Sequence, residues 1–159
     1  MNPVGRRIAF AWMAACLSIV VSACSGPKSP DELFGETLSA IEEAAENREL
    51  GDFMAHISQG YSDSRGRSHE DIRRIAQIHL LRNRNLHVFR HITQYDVREN
   101  DTASIVVLVA LAAQPIENAA ALASIRAELM QFKVDFEFED DWKVVSAEWS
   151  QARPGDFLN

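Results

Sequence analysis

Two cysteines, Cys16 and Cys24, are all that the 159 residues contain, too few for a four-cysteine zinc site or a multi-disulfide scaffold. Glycine and proline are scarce, at 7 and 5, which rules out a collagen-like or low-complexity chain. There is no basic excess: 16 Lys and Arg stand against 23 Asp and Glu, a net charge of −7. A general nucleic-acid binder needs a positive field to displace counterions from phosphates, so nucleic acid is excluded as a partner. No uncharged apolar run reaches the ~20 residues of a spanning helix. What is present is a hydrophobic fraction of 47%, too high for a disordered chain and enough for one packed domain.

Residues 1–23 have the layout of a secretory signal peptide. Arg6 and Arg7 precede the uncharged run from Ile8 to Val21, and the small residues Ser22 and Ala23 follow. The tetrapeptide Val21-Ser22-Ala23-Cys24 resembles the bacterial lipobox. That resemblance implies diacylglycerol on the Cys24 sulfur, cleavage before it and acylation of the new amino terminus. The alternative is an ordinary signal peptide cut after Ala23, leaving a free thiol. Ser25, not Asp, follows the cysteine, which by likeness to sorted lipoproteins implies the outer membrane, facing the periplasm, with the lipid bilayer as a partner. Cleavage leaves 136 residues and, with Arg6 and Arg7 gone, a net charge of −9. Cys16 is lost and Cys24 acylated, so no internal disulfide forms and stability must come from a packed core. Residues 24–30 are the lipidated cysteine and a tether with a reach of ~20 Å.

Ser29-Pro30-Asp31-Glu32 reads as a helix start, with Ser29 capping, Pro30 at the first helical position and Glu32 completing a capping box. Phe34, Leu38, Ile41 and Ala45 follow at helical spacing, and Gly51-Asp52 is expected to interrupt the pattern before a short helix around Phe53, Met54 and Ile57. The stretch 59–67 is turn-rich, and Ser68 caps a third helix with Ile72, Ile75, Ala76, His79 and Leu80 on one face. His79 is read there as a core histidine. Strands are predicted over 86–98, 103–113, 130–139 and 142–150. The run 103–113 is apolar almost throughout and is placed mid-sheet with both faces covered. The segment 114–126 is expected to form a short surface helix. The fold class is α+β: helices packed on a curved, mostly antiparallel sheet of four strands. The domain spans 31–151, with 152–159 as a C-terminal tail.

Several strings in this layout resemble the NTF2-like (SnoaL-like, cystatin-type) superfamily. Asp141-Trp142-Lys143-Val144-Val145-Ser146-Ala147-Glu148-Trp149-Ser150 resembles its closing strand, and Asp52-Phe53 through Tyr61-Ser62-Asp63 resembles its helix-to-loop passage. Leu81-Arg82-Asn83-Arg84-Asn85-Leu86-His87-Val88-Phe89 is similar to a string of periplasmic members. The resemblance covers roughly residues 33–150 and implies a cone-shaped cavity between helices and sheet, in a superfamily of isomerases, dehydratases, hydrolases, transport factors and proteins without known chemistry.

Five histidines, His56, His69, His79, His87 and His91, invite a metal reading. His87 and His91 share a strand face, but four residues in a strand span ~13 Å, too far for one ion at about 2.0–2.1 Å from each nitrogen. No metal or other cofactor is expected. Tyr61, Asp63, His87, Phe89, His91 and Trp149 are the candidate ligand-binding residues. Tyr95 and Asp135 are further titratable candidates for the cone. Asp63 and His87 are the candidates for catalysis, although no Tyr–Asp dyad or other acid–base pair is legible in the sequence. Eight arginines lie between Arg65 and Arg98, either as a patch for anionic groups or as solvated residues paired with carboxylates. The expected role is non-catalytic binding of a small apolar ligand in the cone or of an envelope protein, with a homodimer through the sheet face if the run 103–113 is left uncovered. The alternative is a lyase, isomerase or hydrolase acting in the same cone.

Overall fold

The computed structural model describes residues 29–82, 85–98 and 100–158. The signal peptide, Cys24, most of the tether and Arg84 lie outside the described residues. Three helices, α1 (Pro30–Asn47), α2 (Leu50–Ala55) and α3 (His69–Arg82), precede four strands, β1 (His87–Arg98), β2 (Thr102–Ala112), β3 (Ala127–Phe138) and β4 (Trp142–Gln151). The strands form one antiparallel sheet in the order β1-β2-β3-β4.

Local chemistry sets the helix ends. Ser29 Oγ accepts from the Glu32 N–H at 3.2 Å and Glu32 reaches back to the Ser29 N–H at 2.8 Å, closing the expected capping box with Pro30 in the first turn. The break after α1 falls at Arg48, which is left-handed at φ 61°, and Gly51 lies inside α2 instead of marking the interruption. Ser68 and Asp71 make the same reciprocal pair at the start of α3, at 3.0 and 3.4 Å.

Two irregularities curve the sheet. Between Ile92 and Gln94 the register with β2 shifts by one residue, so Val88, Arg90 and Ile92 face the helices before it and Tyr95 and Val97 after it. Between Asp135 and Phe136 the pairing with β4 skips Val145. A bulge bends its strand and increases local twist. The freed Val145 carbonyl accepts from the Ser62 N–H at 3.0 Å, while Ser58 and His56 pair with the backbone of Val144 at 2.9 Å each. The loop after α2 is thereby sewn onto the β4 edge, which leaves fewer open backbone groups there.

The inner face carries the main core. Phe34, Phe136, Trp142, Ile105 and Val134 are buried in it, as the alternation of β3 predicts. The outer face is covered at one end only, where Leu108 and Ala110 lie under Leu122 of a short 3₁₀ helix (Ala119–Ala123) and Phe157 of a second (Pro154–Leu158). At Leu108 and Ala110 the apolar run of β2 is therefore covered on its outer face by the chain itself. The expected surface helix is this first 3₁₀ cover. The expected tail is docked, with Phe157 2% exposed and 6.3 Å from the Phe89 ring. Both cores draw on residues between Phe34 and Phe157.

Replacing Phe157 by Ala removes a buried ring from the second core and is expected to lower unfolding free energy by about 3 kcal/mol. Urea denaturation measures this, and a change below about 1 kcal/mol, the usual range for surface positions, would mean that the C-terminal segment does not dock.

Candidate functional site

A cavity of about 320 Å³ lies between the three helices and the inner sheet face. Its helical wall includes Leu38 and Ile41 of α1, Phe53 of α2, and Ile75 and Ala76 of α3; its sheet wall includes Val107, Val109, Met130, Phe132 and Ala147. The narrow end is sealed by aromatic rings. Phe34 meets Phe136 edge-on at 4.8 Å and Trp142 at 5.3 Å, and the Trp142 indole N–H donates to the Pro30 carbonyl at 3.3 Å. Edge-to-face pairs of this kind add about 0.5–1.5 kcal/mol beyond burial. Towards the other end of α1 the lining changes character and includes Glu42, His79, Arg90 and Glu128. This is the polar mouth.

Two of the expected ligand-binding residues, Tyr61 and Trp149, line the cavity. Asp63 sits behind Tyr61 with its side chain wholly buried. The Tyr61 hydroxyl donates to Asp63 Oδ2 at 3.1 Å and accepts from the Ala147 N–H at 3.1 Å. Asp63 also accepts from the Arg65 and Arg67 backbone N–H groups at 2.9 and 3.1 Å, and from Arg67 Nε at 2.6 Å. The Arg67 guanidinium in turn stacks 3.6 Å above the Trp149 ring centroid, a cation–π contact of about 0.5–2 kcal/mol. A Tyr–Asp pair therefore exists, although the sequence reading found none. Two residues apart in an irregular loop, the pair has no helical or strand spacing to reveal it.

The pair is built to stay put chemically. Burial alone raises the Asp63 pKa, but its hydrogen bonds from Arg67, Arg65 and Tyr61 outweigh that and hold it below the usual carboxylate range. Burial, and then the Asp63 carboxylate beside it, push the Tyr61 phenol up to about 12. A phenol with that pKa, and a carboxylate saturated with donors, are both poorly matched to proton transfer near neutral pH.

The other candidates lie elsewhere. His87, Phe89 and His91 alternate with Val88, Arg90 and Ile92, and it is the second set that lines the cavity. Phe89 packs in the outer core, so none of the three belongs to the cone. The strand lies where its sequence predicts, and its histidines occupy the face opposite the cavity. Tyr95 is on the helical side near Phe34, half exposed, and donates to Asp31 at 2.7 Å. Asp135 is exposed and faces outward, opposite in parity to Val134 and Phe136. His79 is exposed at the mouth and is not a core histidine. Of the arginines, Arg67, Arg74, Arg90 and Arg98 each face a carboxylate within 3.4 Å.

Substituting Asn for Asp63 leaves the Arg67 guanidinium without its anion and is expected to cost about 3 kcal/mol in stability. The pH dependence has a definite sign. A carboxyl held below its unfolded value of about 3.9 gives stability that is complete above that value and lost as pH falls through the folded value. Urea midpoints measured from about pH 5 down to about pH 2 should therefore fall more steeply for the wild type than for Asp63→Asn; parallel slopes would contradict the assignment.

No protein-family model matches the sequence, and no curated protein does. Solved structures do match its fold. An NTF2-like family protein from Streptomyces avermitilis, described as a candidate dehydratase, superposes with a TM-score of 0.60 at 15% identity, over 80% of this chain and 99% of that one. An NTF2-like protein of unknown function from Shewanella oneidensis gives 0.57 at 14% identity, over 77% and 100%. Bd1075 from Bdellovibrio bacteriovorus gives 0.59 at 13% identity over 77% of this chain, which spans 40% of that larger protein. At such identities the likeness speaks for architecture alone. The helices, the four-stranded antiparallel sheet and the closed cone make this an NTF2-like, cystatin-like α+β fold.

Proposed function

We propose that the protein is a lipid-anchored, periplasm-facing binding domain that holds a small apolar molecule in its cone without transforming it. The observation that carries this reading is the cavity, whose walls are aliphatic and aromatic apart from a few polar groups at the mouth and the tied hydroxyl of Tyr61. Its volume of about 320 Å³ is at the small end of ligand pockets, which run to about 300–1,000 Å³. At about 30 Å³ per heavy atom, the share of a water in the liquid, it takes roughly ten. Ten methylenes at about 0.8 kcal/mol each give roughly 8 kcal/mol of gross transfer energy. Ordering costs reduce this, so affinities at or weaker than about 1 μM are expected.

The anchor rests on the sequence pattern at Val21 to Cys24. Acyl chains on Cys24 would hold the protein stably at a bilayer. The tether enters α1 at its sealed end, and the mouth lies near Glu42 and Ala45, roughly 20 Å further along the helix at 1.5 Å per residue. The tied Tyr61–Asp63 pair is the reason for preferring binding over lyase, isomerase or hydrolase chemistry in the same space.

Two measurements test the proposal. Cys24→Ser is expected to release the protein from membranes after a high-salt wash, and retention of that variant in the membrane fraction would contradict lipidation. Native mass spectrometry of the chain from residue 25 onward is expected to show a small apolar molecule bound and released unchanged. Ala76→Phe, which pushes a ring into the cavity, should reduce its occupancy at least tenfold. Equal occupancy would place the ligand elsewhere, and turnover lost in Asp63→Asn would favour an enzyme.

A further inference from the structure

Arg90 is the anomaly of the cavity. It is the cation that β1 turns towards the helices, on the same face as Val88 and Ile92. Its Nη2 donates to Ser39 Oγ at 3.1 Å. Its Nη1 lies 3.1 Å from Glu42 Oε2 but is misaligned for a hydrogen bond. Among the described residues that nitrogen has no hydrogen-bond acceptor, although it is shut off from water. A buried N–H left without an acceptor costs about 1–3 kcal/mol, and more on a charged group. Such orphans are rare in folded proteins and call for an explanation.

The neighbouring carboxylates do not remove the need. Glu42 holds Arg90 only as a misaligned ion pair, and its own burial raises its pKa by more than Arg90 lowers it. Glu46, one turn further along α1, is occupied by the Val88 N–H at 2.7 Å. Glu128 lies across the mouth on β3 and is exposed, as is His79 on α3. The result is an apolar chamber whose mouth holds one unsatisfied charged donor.

We infer that the ligand is a single-chain amphiphile with a carboxylate head, its chain in the cone and its head on Arg90 Nη1. This rests on the binding role proposed above and specifies the ligand class. A carboxylate supplies the missing acceptor with opposite charge, and charge-assisted hydrogen bonds are roughly twice as strong as neutral ones. Glu42, on the solvent side of the mouth and 28% exposed in its side chain, can turn to water when displaced. The chain length follows from the volume: roughly ten heavy atoms at about 30 Å³ each.

The test uses tryptophan fluorescence, since Trp149 lines the cavity, on the chain from residue 25 onward. Decanoate, decan-1-ol and decylamine are titrated at neutral pH. Decanoate is expected to bind at least tenfold tighter than the other two. Arg90→Met should abolish that preference. Glu42→Gln, which frees the guanidinium, should tighten decanoate severalfold. Equal binding of decanoate and decan-1-ol, a preference for decylamine, or a decanoate preference that survives Arg90→Met would each overturn the inference while leaving the apolar-ligand role standing. Failure of all three probes to bind would overturn that role itself.

Discussion

Burial of Phe34 against the inner sheet face governs the rest of the geometry, because it closes one end of the cone. Its ring is fully buried, edge-on to Phe136 and Trp142, and is delivered there by a helix whose start is fixed by Ser29, Pro30 and Glu32. Beyond it, the bulges at Thr93 and Val145 bend the sheet under the helices. The space between becomes the cavity, whose α1 wall is formed by residues as small as Ala45 and as short as Leu38 and Ile41.

Polar groups around that space divide into two kinds. Those deep in the wall are satisfied: Tyr61 by Asp63 and Ala147, Asp63 by Arg65 and Arg67, and Arg67 again by the face of Trp149. This cluster joins the loop after α2 to β4 and fixes the rings of Tyr61 and Trp149 as walls. At the mouth the pairing is looser, with Arg90 and Glu42 adjacent but misaligned. Rigid apolar walls with a polar rim are the arrangement by which a pocket combines affinity from burial with orientation from a few polar contacts.

Much of the architecture was legible in the sequence because it is periodic. The capping box, the helical spacing of Phe34 to Ala45, the alternation of Met130 to Phe138 and the continuous apolar run of β2 each have a period or a local signature. The functional face was harder to read. In β1 both alternating sets look plausible, His87, Phe89 and His91 against Val88, Arg90 and Ile92, and only pairing with β2 decides between them. The bulge then inverts the parity so that Tyr95 follows a different rule. The Tyr61–Asp63–Arg67–Trp149 cluster joins residues up to 88 positions apart through an irregular loop, where no periodicity operates. The docking of Phe157 was hidden for a related reason, since a single ring in a short polar tail carries no pattern at all.

The central claim is that the cone is a preformed apolar chamber and not a packed core. Apolar cavities of about 150 Å³ accept xenon or benzene, so a crystal of the chain from residue 25 onward, pressurised with xenon, examines the chamber directly. Xenon density is expected between Leu38, Val107 and Phe132. A chamber filled by rearranged side chains, with no xenon bound there, would contradict it.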